Sequence, residues 1–280
     1  METELQWRIR VLKELLLPMK RDKWDLYSSD GISVMSFNLR GDKIKDTTNT
    51  WKQRRDSVID MIKSEQPDII CCQEIWTNMV KYIMSKIGCN YGCYGKDTSY
   101  GINFRYSCLM SLGNCIFYNK HKYEVVDKYT FWLSDKTKYP NCTWGNTEPR
   151  NCVVIKLRNI YTGKLYTVFN THFDHKYYKA RLNSTQLLLD KAKEHLDSEI
   201  YFAGDFNADI NSPELTAFTE YYDYYPKHDE VKTTFNGFTN NKNSVIDYII
   251  TNGVNYKFKL IDNGYGVKYL SDHYPIMIIK

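Results

Sequence analysis

Four short apolar runs of this chain stop at polar clusters. Ile32–Leu39 carries Ser36-Phe37-Asn38, Asp68–Gln73 runs into Gln73-Glu74, Tyr166–Asn170 into Asn170-Thr171-His172-Phe173-Asp174-His175, and Ile200–Ala203 into Gly204-Asp205-Phe206-Asn207. Runs this short and apolar read as buried strands. Between them lie segments with helical spacing: Trp51–Ser64, with Val58, Ile59 and Ile62, then Val80–Ile87, then Ala180–Leu196, with Leu182, Thr185, Leu189 and Ala192 predicted on one face. Strands alternating with helices predict an α/β architecture. In such sheets, sites form beyond the carboxyl ends of strands, which is where these polar clusters fall.

Further strands are predicted at Cys115–Tyr118, Tyr123–Leu133, Cys152–Arg158, Val245–Ile250 and Pro275–Ile279, with a turn at Tyr161-Thr162-Gly163-Lys164. No Pro/Gly/Ser-rich linker, low-complexity segment or repeat divides the 280 residues, so one domain is expected over 32–280. It follows an N-terminal extension, 1–31, in which Leu5, Ile9, Leu12, Leu16 and Met19 predict an amphipathic helix over Met1–Leu26. With 42% hydrophobic and 25% charged residues the composition is globular, which excludes disordered, collagen-like and membrane-embedded classes. No run approaches a membrane span, so a soluble, intracellular, cytoplasmic protein is expected. The 8 cysteines include no C-x-x-C pair. A domain of this size builds its core without staples, so free thiols are expected.

The net charge of +5 is unevenly spread. Residues 81–193 hold 18 Lys and Arg against 7 Asp and Glu, whereas residues 194–280 hold 7 against 13. A basic middle and an acidic end suggest an anionic partner for the first and a cation near the second.

Two more polar segments, Ile246-Asp247-Tyr248 and Ser271-Asp272-His273-Tyr274-Pro275, complete a series with Phe131-Trp132-Leu133-Ser134, Pro149-Arg150 and Thr234-Phe235-Asn236-Gly237-Phe238. In this order, from about Ile32 to Ile279, the set resembles the motifs of the endonuclease/exonuclease/phosphatase superfamily, and most closely its branch of small, pancreatic-deoxyribonuclease-like hydrolases. The resemblance implies a four-layer α/β sandwich, two packed mixed β-sheets flanked by helices. It also implies metal-dependent cleavage of phosphate esters with Mg²⁺, for which Mn²⁺ can substitute.

The residue types suit that chemistry. A phosphodiester is anionic and resists water, so its hydrolysis needs charge neutralisation, an activated nucleophile and a stabilised leaving oxygen. Carboxylates and amides are hard oxygen ligands of the kind Mg²⁺ takes. The resemblance makes Glu74 the principal metal ligand, with Asn38 and Asp272 against the same ion or its waters. It places Asp205 and Asn207 where the attacking water is activated and oriented, and His273 facing the scissile phosphate with Asp247 holding its imidazole. His172 matches a second phosphate-facing histidine. Arg150, His175 and Arg181 are the candidates for gripping the anion.

The chain departs from the pattern at one place. Related hydrolases carry an acid before the strand matching Cys115–Tyr118, which orients the histidine matching His172; here Ser111-Leu112-Gly113-Asn114 offers none, leaving Asp97 or another residue to substitute. For substrate, the basic middle favours a nuclease acting on DNA or RNA. The alternatives are a phosphodiesterase or phosphatase for a cyclic nucleotide, phosphoinositide or sphingomyelin, and an inactive relative that binds nucleic acid or a partner. Fold alone does not choose among them.

Overall fold

Two parallel strand pairs, each joined by a helical crossover, organise the molecule. The computed structural model describes residues 31–42, 46–98, 112–146, 148–239 and 243–280. Strands β1 (Ser33–Asn38) and β2 (Ile69–Trp76) run parallel through helix α1 (Trp51–Glu65). Helix α2 (Thr77–Ile87), β3 (Tyr91–Asp97), β4 (Leu112–Asn119), β5 (Tyr123–Trp132) and β6 (Asn151–Asn159) follow. The second parallel pair is β7 (Leu165–His172) and β8 (Glu199–Asp205), joined through α3 (Tyr178–Ala192). The chain closes with the one-turn α4 (Thr216–Thr219), β9 (Asp223–Tyr225), β10 (Asp247–Thr251), β11 (Lys257–Leu260) and β12 (Ile276–Ile279).

The strands make two six-stranded mixed sheets, ordered β11-β12-β1-β2-β4-β3 and β5-β6-β7-β8-β10-β9. Their facing surfaces bury Val34, Ile69, Ile116, Val153, Val168 and Ile249. The outer face of the first sheet buries Met35 and Phe37 against Val58 and Ile62 of α1 and Ile83 of α2. The outer face of the second buries Val154, Phe169 and Phe202 against Leu188 of α3. Each central strand is thus apolar on both sides, which is why these segments read as continuous apolar runs. The four-layer sandwich is the expected one.

Polar side chains also join the sheets. Asn170 on β7 donates from Nδ2 to the carbonyls of Cys72 on β2 and Cys115 on β4, both at 2.9 Å, and accepts from Gln73 Nε2 at 2.7 Å.

Some boundaries differ from expectation. α3 ends at Ala192 and tightens into a 3₁₀ turn at Lys193–His195. Its buried stripe is Ala180, Ser184, Thr185, Leu188, Leu189 and Ala192, while Leu182, expected inside, is 39% exposed. The expected N-terminal helix lies outside the described residues. The described cysteines are thiols rather than disulfides. Among the described residues, no helix is long and apolar enough to cross a membrane.

Candidate active site

Register brings the polar strand ends to one rim of the sandwich. Asn38 pairs with Gln73 across β1 and β2, His172 with Asp205 across β7 and β8, and Asp247 with Asp205 across β8 and β10. The sheets meet at Asp205: its Oδ2 accepts from Asn38 Nδ2 at 3.0 Å and lies 3.5 Å from His172 Nε2 and 3.6 Å from His273 Nε2. Its Oδ1 accepts the backbone N–H of Asn207 at 2.9 Å. Asn207 has left-handed backbone (φ 51°) and donates from Nδ2 to the Phe173 carbonyl at 3.0 Å. Behind His273, Asp247 Oδ2 lies 2.9 Å from Nδ1, an orientation that leaves Nε2 facing the site. Asp205, Asp247, Asp272, His172 and His273 are all buried.

Glu74 reaches the rim through a backbone irregularity. Between Cys72 and Ile75, β2 carries one more residue than β4 opposite it, and Glu74 adopts φ 50°. Such a bulge re-aims a side chain that regular pleating would send elsewhere, and left-handed strain of this kind collects at functional sites. Gln73 stays buried in the amide network while Glu74 Oε2 faces the backbone N–H of Gly41 at 3.4 Å. Asp272 enters from the segment before β12, its Oδ2 3.2 Å from Arg40 Nη1.

Burial first, then the Asp247 carboxylate, pushes the Asp205 carboxyl up to about 7. Burial alone would lower the imidazole of His273, but Asp247, Asp205 and Asp272 outweigh it and raise it to about 10. At neutral pH His273 is therefore the cation and Asp205 the group poised to exchange a proton. The Asp272 carboxyl is also raised, by burial and then by Glu74 against the lowering effects of His273 and the arginines.

The anion-gripping candidates separate. Arg150 immediately precedes β6 at the end of the sheet where β7 delivers His172. Its Nη2 lies 3.4 Å from His175 Nδ1, and its Nε is buried without a hydrogen-bond partner although the residue is only 8% exposed. His175 itself is exposed. Arg181 instead forms an ion pair with Glu214 at 2.7 Å and donates to the Asp174 carbonyl at 3.1 Å, so its guanidinium is committed to fastening α3.

In the segment expected to lack the acid, Asn114 sits inside β4, donating to both the carbonyl and the side-chain oxygen of Asn151 at 2.9 Å. Asp97 is buried at the end of β3 opposite Gly113, and its carbonyl accepts from Asn151. Asp205 brings a carboxylate oxygen to 3.5 Å from His172 Nε2.

Two arginines were not singled out from sequence. Arg40, with φ 53°, donates to Asp46 from Nε and Nη2 at 2.9 and 3.0 Å while its Nη1 faces Asp272. Arg54, 1% exposed on α1, donates to the carbonyls of Asn49, Leu39, Arg40 and Leu270. Burial lowers its guanidinium to about 10. It ties the segment after Asn38 to the segment before Asp272. The available signals were the position of Arg40 two residues after Asn38, and a cation at Arg54 within the apolar spacing of Trp51 and Val58.

The fold, the acidic rim and the Asp247–His273 pair coincide with a family match over residues 35–273. The chain belongs to the endonuclease/exonuclease/phosphatase family. An uncharacterized protein of Acanthamoeba polyphaga mimivirus is 32% identical over 168 residues, 57% of this chain; the chain spans 60% of that relative's length. An endonuclease/exonuclease/phosphatase structure from Bacteroides vulgatus is 28% identical with a TM-score of 0.80, over 90% of this chain and 98% of that one. The mannosyl-6-phosphatase of Bacteroides thetaiotaomicron is 27% identical with a TM-score of 0.79, over 89% of this chain and 99% of that one. Endonuclease/exonuclease/phosphatase enzymes hydrolyse phosphate esters and are generally divalent-metal-dependent.

The donors here fit such an ion. Glu74, Asp272 and the Asn38 side-chain oxygen are all hard oxygens, and Asn38 presents that oxygen on the Arg40 side, where it accepts the Arg40 N–H at 3.0 Å. Glu74 also pushes the Asp272 carboxyl up, a repulsion that a cation between them relieves. Asp205, Asp247 and His273 likewise have ligand atoms within 4.8 Å of one another. Within this trio Asp247 Oδ2 already engages His273 Nδ1 at 2.9 Å.

Proposed function

We propose that this protein is a Mg²⁺-dependent phosphoesterase, with Mn²⁺ as a substitute, acting on a small phosphate ester. The observation that carries the reading is Asp205, a buried carboxylate in contact with Asn38, His172 and His273 while Asp247 backs His273. Glu74, Asp272 and Asn38 would hold the ion, which when bound neutralises phosphate charge. Asp205 takes the proton of the attacking water, its carboxyl raised into the range a general base needs at neutral pH. Asn207, pinned to Asp205 and Phe173, orients that water. His273 donates from Nε2 to a non-bridging phosphate oxygen and His172 to a second. Arg150, with its unpartnered Nε, grips the anion beside His175.

Charge pairing supports a small substrate. The basic middle spends its cations locally: Lys122 on Asp68, Lys156 on Asp197, Lys164 on Glu199, Arg158 on Glu124 and Arg181 on Glu214. Four of those acids, all but Glu124, lie outside residues 81–193, so the sequence window overstates the free positive charge. The likeness to a mannosyl-6-phosphatase along nearly the whole of both chains points the same way. A nuclease acting on DNA or RNA is the second reading, supported by the remaining cation excess of that region. An inert binding relative is disfavoured because the complete acid–histidine set is in place. The retained thiols support a cytoplasmic setting.

The test is hydrolysis of p-nitrophenyl phosphate and bis-p-nitrophenyl phosphate with and without Mg²⁺, beside Glu74→Gln and Asp205→Asn. A panel of sugar phosphates, cyclic nucleotides, phosphoinositides, sphingomyelin, RNA and single- and double-stranded DNA then ranks substrates. Absence of metal-dependent turnover on all of them overturns the enzyme reading; preference for a polynucleotide, with steep loss at high salt, overturns the small-substrate reading.

A further inference from the structure

Arg40 is a cation built into the acidic rim. Its backbone is held by Arg54, which donates to the Arg40 and Leu39 carbonyls at 3.0 Å, and by the Arg40 N–H on Asn38. Its guanidinium is held by the two hydrogen bonds to Asp46, which fix the planar fork as a point-charge ammonium would not be fixed. The remaining arm reaches Asp272 at 3.2 Å, and the side chain is 19% exposed. The charges of Asp272, Glu74 and Asp46 all favour its protonated form. A fixed positive charge therefore sits against Asp272 and feels the charge of Glu74, the two carboxylates proposed to hold the metal.

We propose that Arg40 is a resident counter-cation of the Glu74–Asp272 pair, lowering its affinity for a divalent ion and keeping that ion exchangeable. The inference rests on the metal reading above. With no ion bound, Arg40 offsets the repulsion between two partly desolvated carboxylates. When an ion enters, it competes with the guanidinium for Asp272 and meets a like charge held in place by Asp46. Both effects weaken binding without removing any ligand.

Mn²⁺ binding, followed by the electron paramagnetic resonance signal of the free ion, tests this without measuring turnover. Arg40→Met is expected to bind Mn²⁺ roughly tenfold more tightly than wild type. Arg40→Lys, which keeps the charge but loses the two-point hold of Asp46, is expected to tighten binding less than the neutral variants. Far-ultraviolet circular dichroism reports folding, and Arg40→Gln gives the same readout if the methionine variant does not fold. Unchanged or weaker binding by a folded neutral variant, or equal tightening by Arg40→Lys, overturns the proposal. If wild type and variants all fail to bind Mn²⁺, the metal reading falls and takes this inference with it.

Discussion

Asn38 on one sheet donates its side-chain amide to Asp205 on the other at 3.0 Å. The contact couples a proposed metal donor to the proposed general base. It also opposes burial and Asp247, which push the Asp205 carboxyl up. Asn38→Ala removes that opposition, so the carboxylate form should appear only at higher pH. At saturating Mg²⁺ the acid limb of the pH–rate profile should move to higher pH, and kcat at neutral pH should fall about tenfold or more. An acid limb that stays in place would show that Asp205 is not the group being titrated.

The two histidines meet the buried carboxylates differently. His273 has Asp247 at 2.9 Å from Nδ1 and Asp205 beyond Nε2 at 3.6 Å, whereas His172 Nε2 faces Asp205 at 3.5 Å. His273→Ala should cost about 10³-fold in kcat and His172→Ala less, nearer 10²-fold, both within the range for positioned proton donors. Steady-state kinetics on one chromogenic substrate decides, and equal losses would contradict the asymmetry.

The central strands were legible because both of their faces are buried, so β1, β2, β7, β8, β10 and β12 announce themselves as apolar runs. Three strands gave no such signal, and β3, β9 and β11 are all at sheet edges. An edge strand needs less apolar surface, and β3 carries two glycines that normally argue against a strand. Those glycines are needed for close approach: a Cβ on Gly95 would stand 2.4 Å from the Asn114 carbonyl oxygen. Within the site, Asn38, Glu74, Asp205 and His172 were readable because register carries strand ends to one rim. Arg54 was not, since its partners are backbone carbonyls, which have no residue-type signature. Nor did local spacing reveal that Arg181 belongs to Glu214, 33 positions away.

Asn170 bonds to three groups of the opposite sheet, so truncating it should cost stability beyond its size. Asn170→Ala removes the side-chain donor to the Cys72 and Cys115 carbonyls in a buried interface, while the Gln73 amide keeps the Cys71 carbonyl and the Ser36 hydroxyl. Buried groups left without partners cost about 1–3 kcal/mol each, partly recovered by relaxation or water, so a loss of about 3 kcal/mol is expected. Urea denaturation measures it. A loss below about 1 kcal/mol would mean that water replaces the amide, as at an exposed hydrogen bond.

Strand β8 carries Asp205, the proposed general base, at one end and Glu199 at the other, which lets stability be perturbed away from the site. Burial pushes the Glu199 carboxyl up, but hydrogen bonds from Lys164 and from the hydroxyls of Tyr201 and Tyr256 outweigh it and hold it at about 2. Lys164 Nζ is at 2.7 Å, and the carboxylate side chain is only 10% exposed. A carboxyl lower in the folded than in the unfolded state adds stability above the unfolded value, and loses it as pH falls toward the folded one. Glu199→Gln should therefore cost on the order of 2 kcal/mol at neutral pH, with the gap to wild type narrowing from about pH 5 to about pH 3. Denaturant titrations of both proteins across that interval give the gap directly. A gap independent of pH would assign the loss to packing around Tyr201 and Tyr256, with no contribution from the ionised carboxylate.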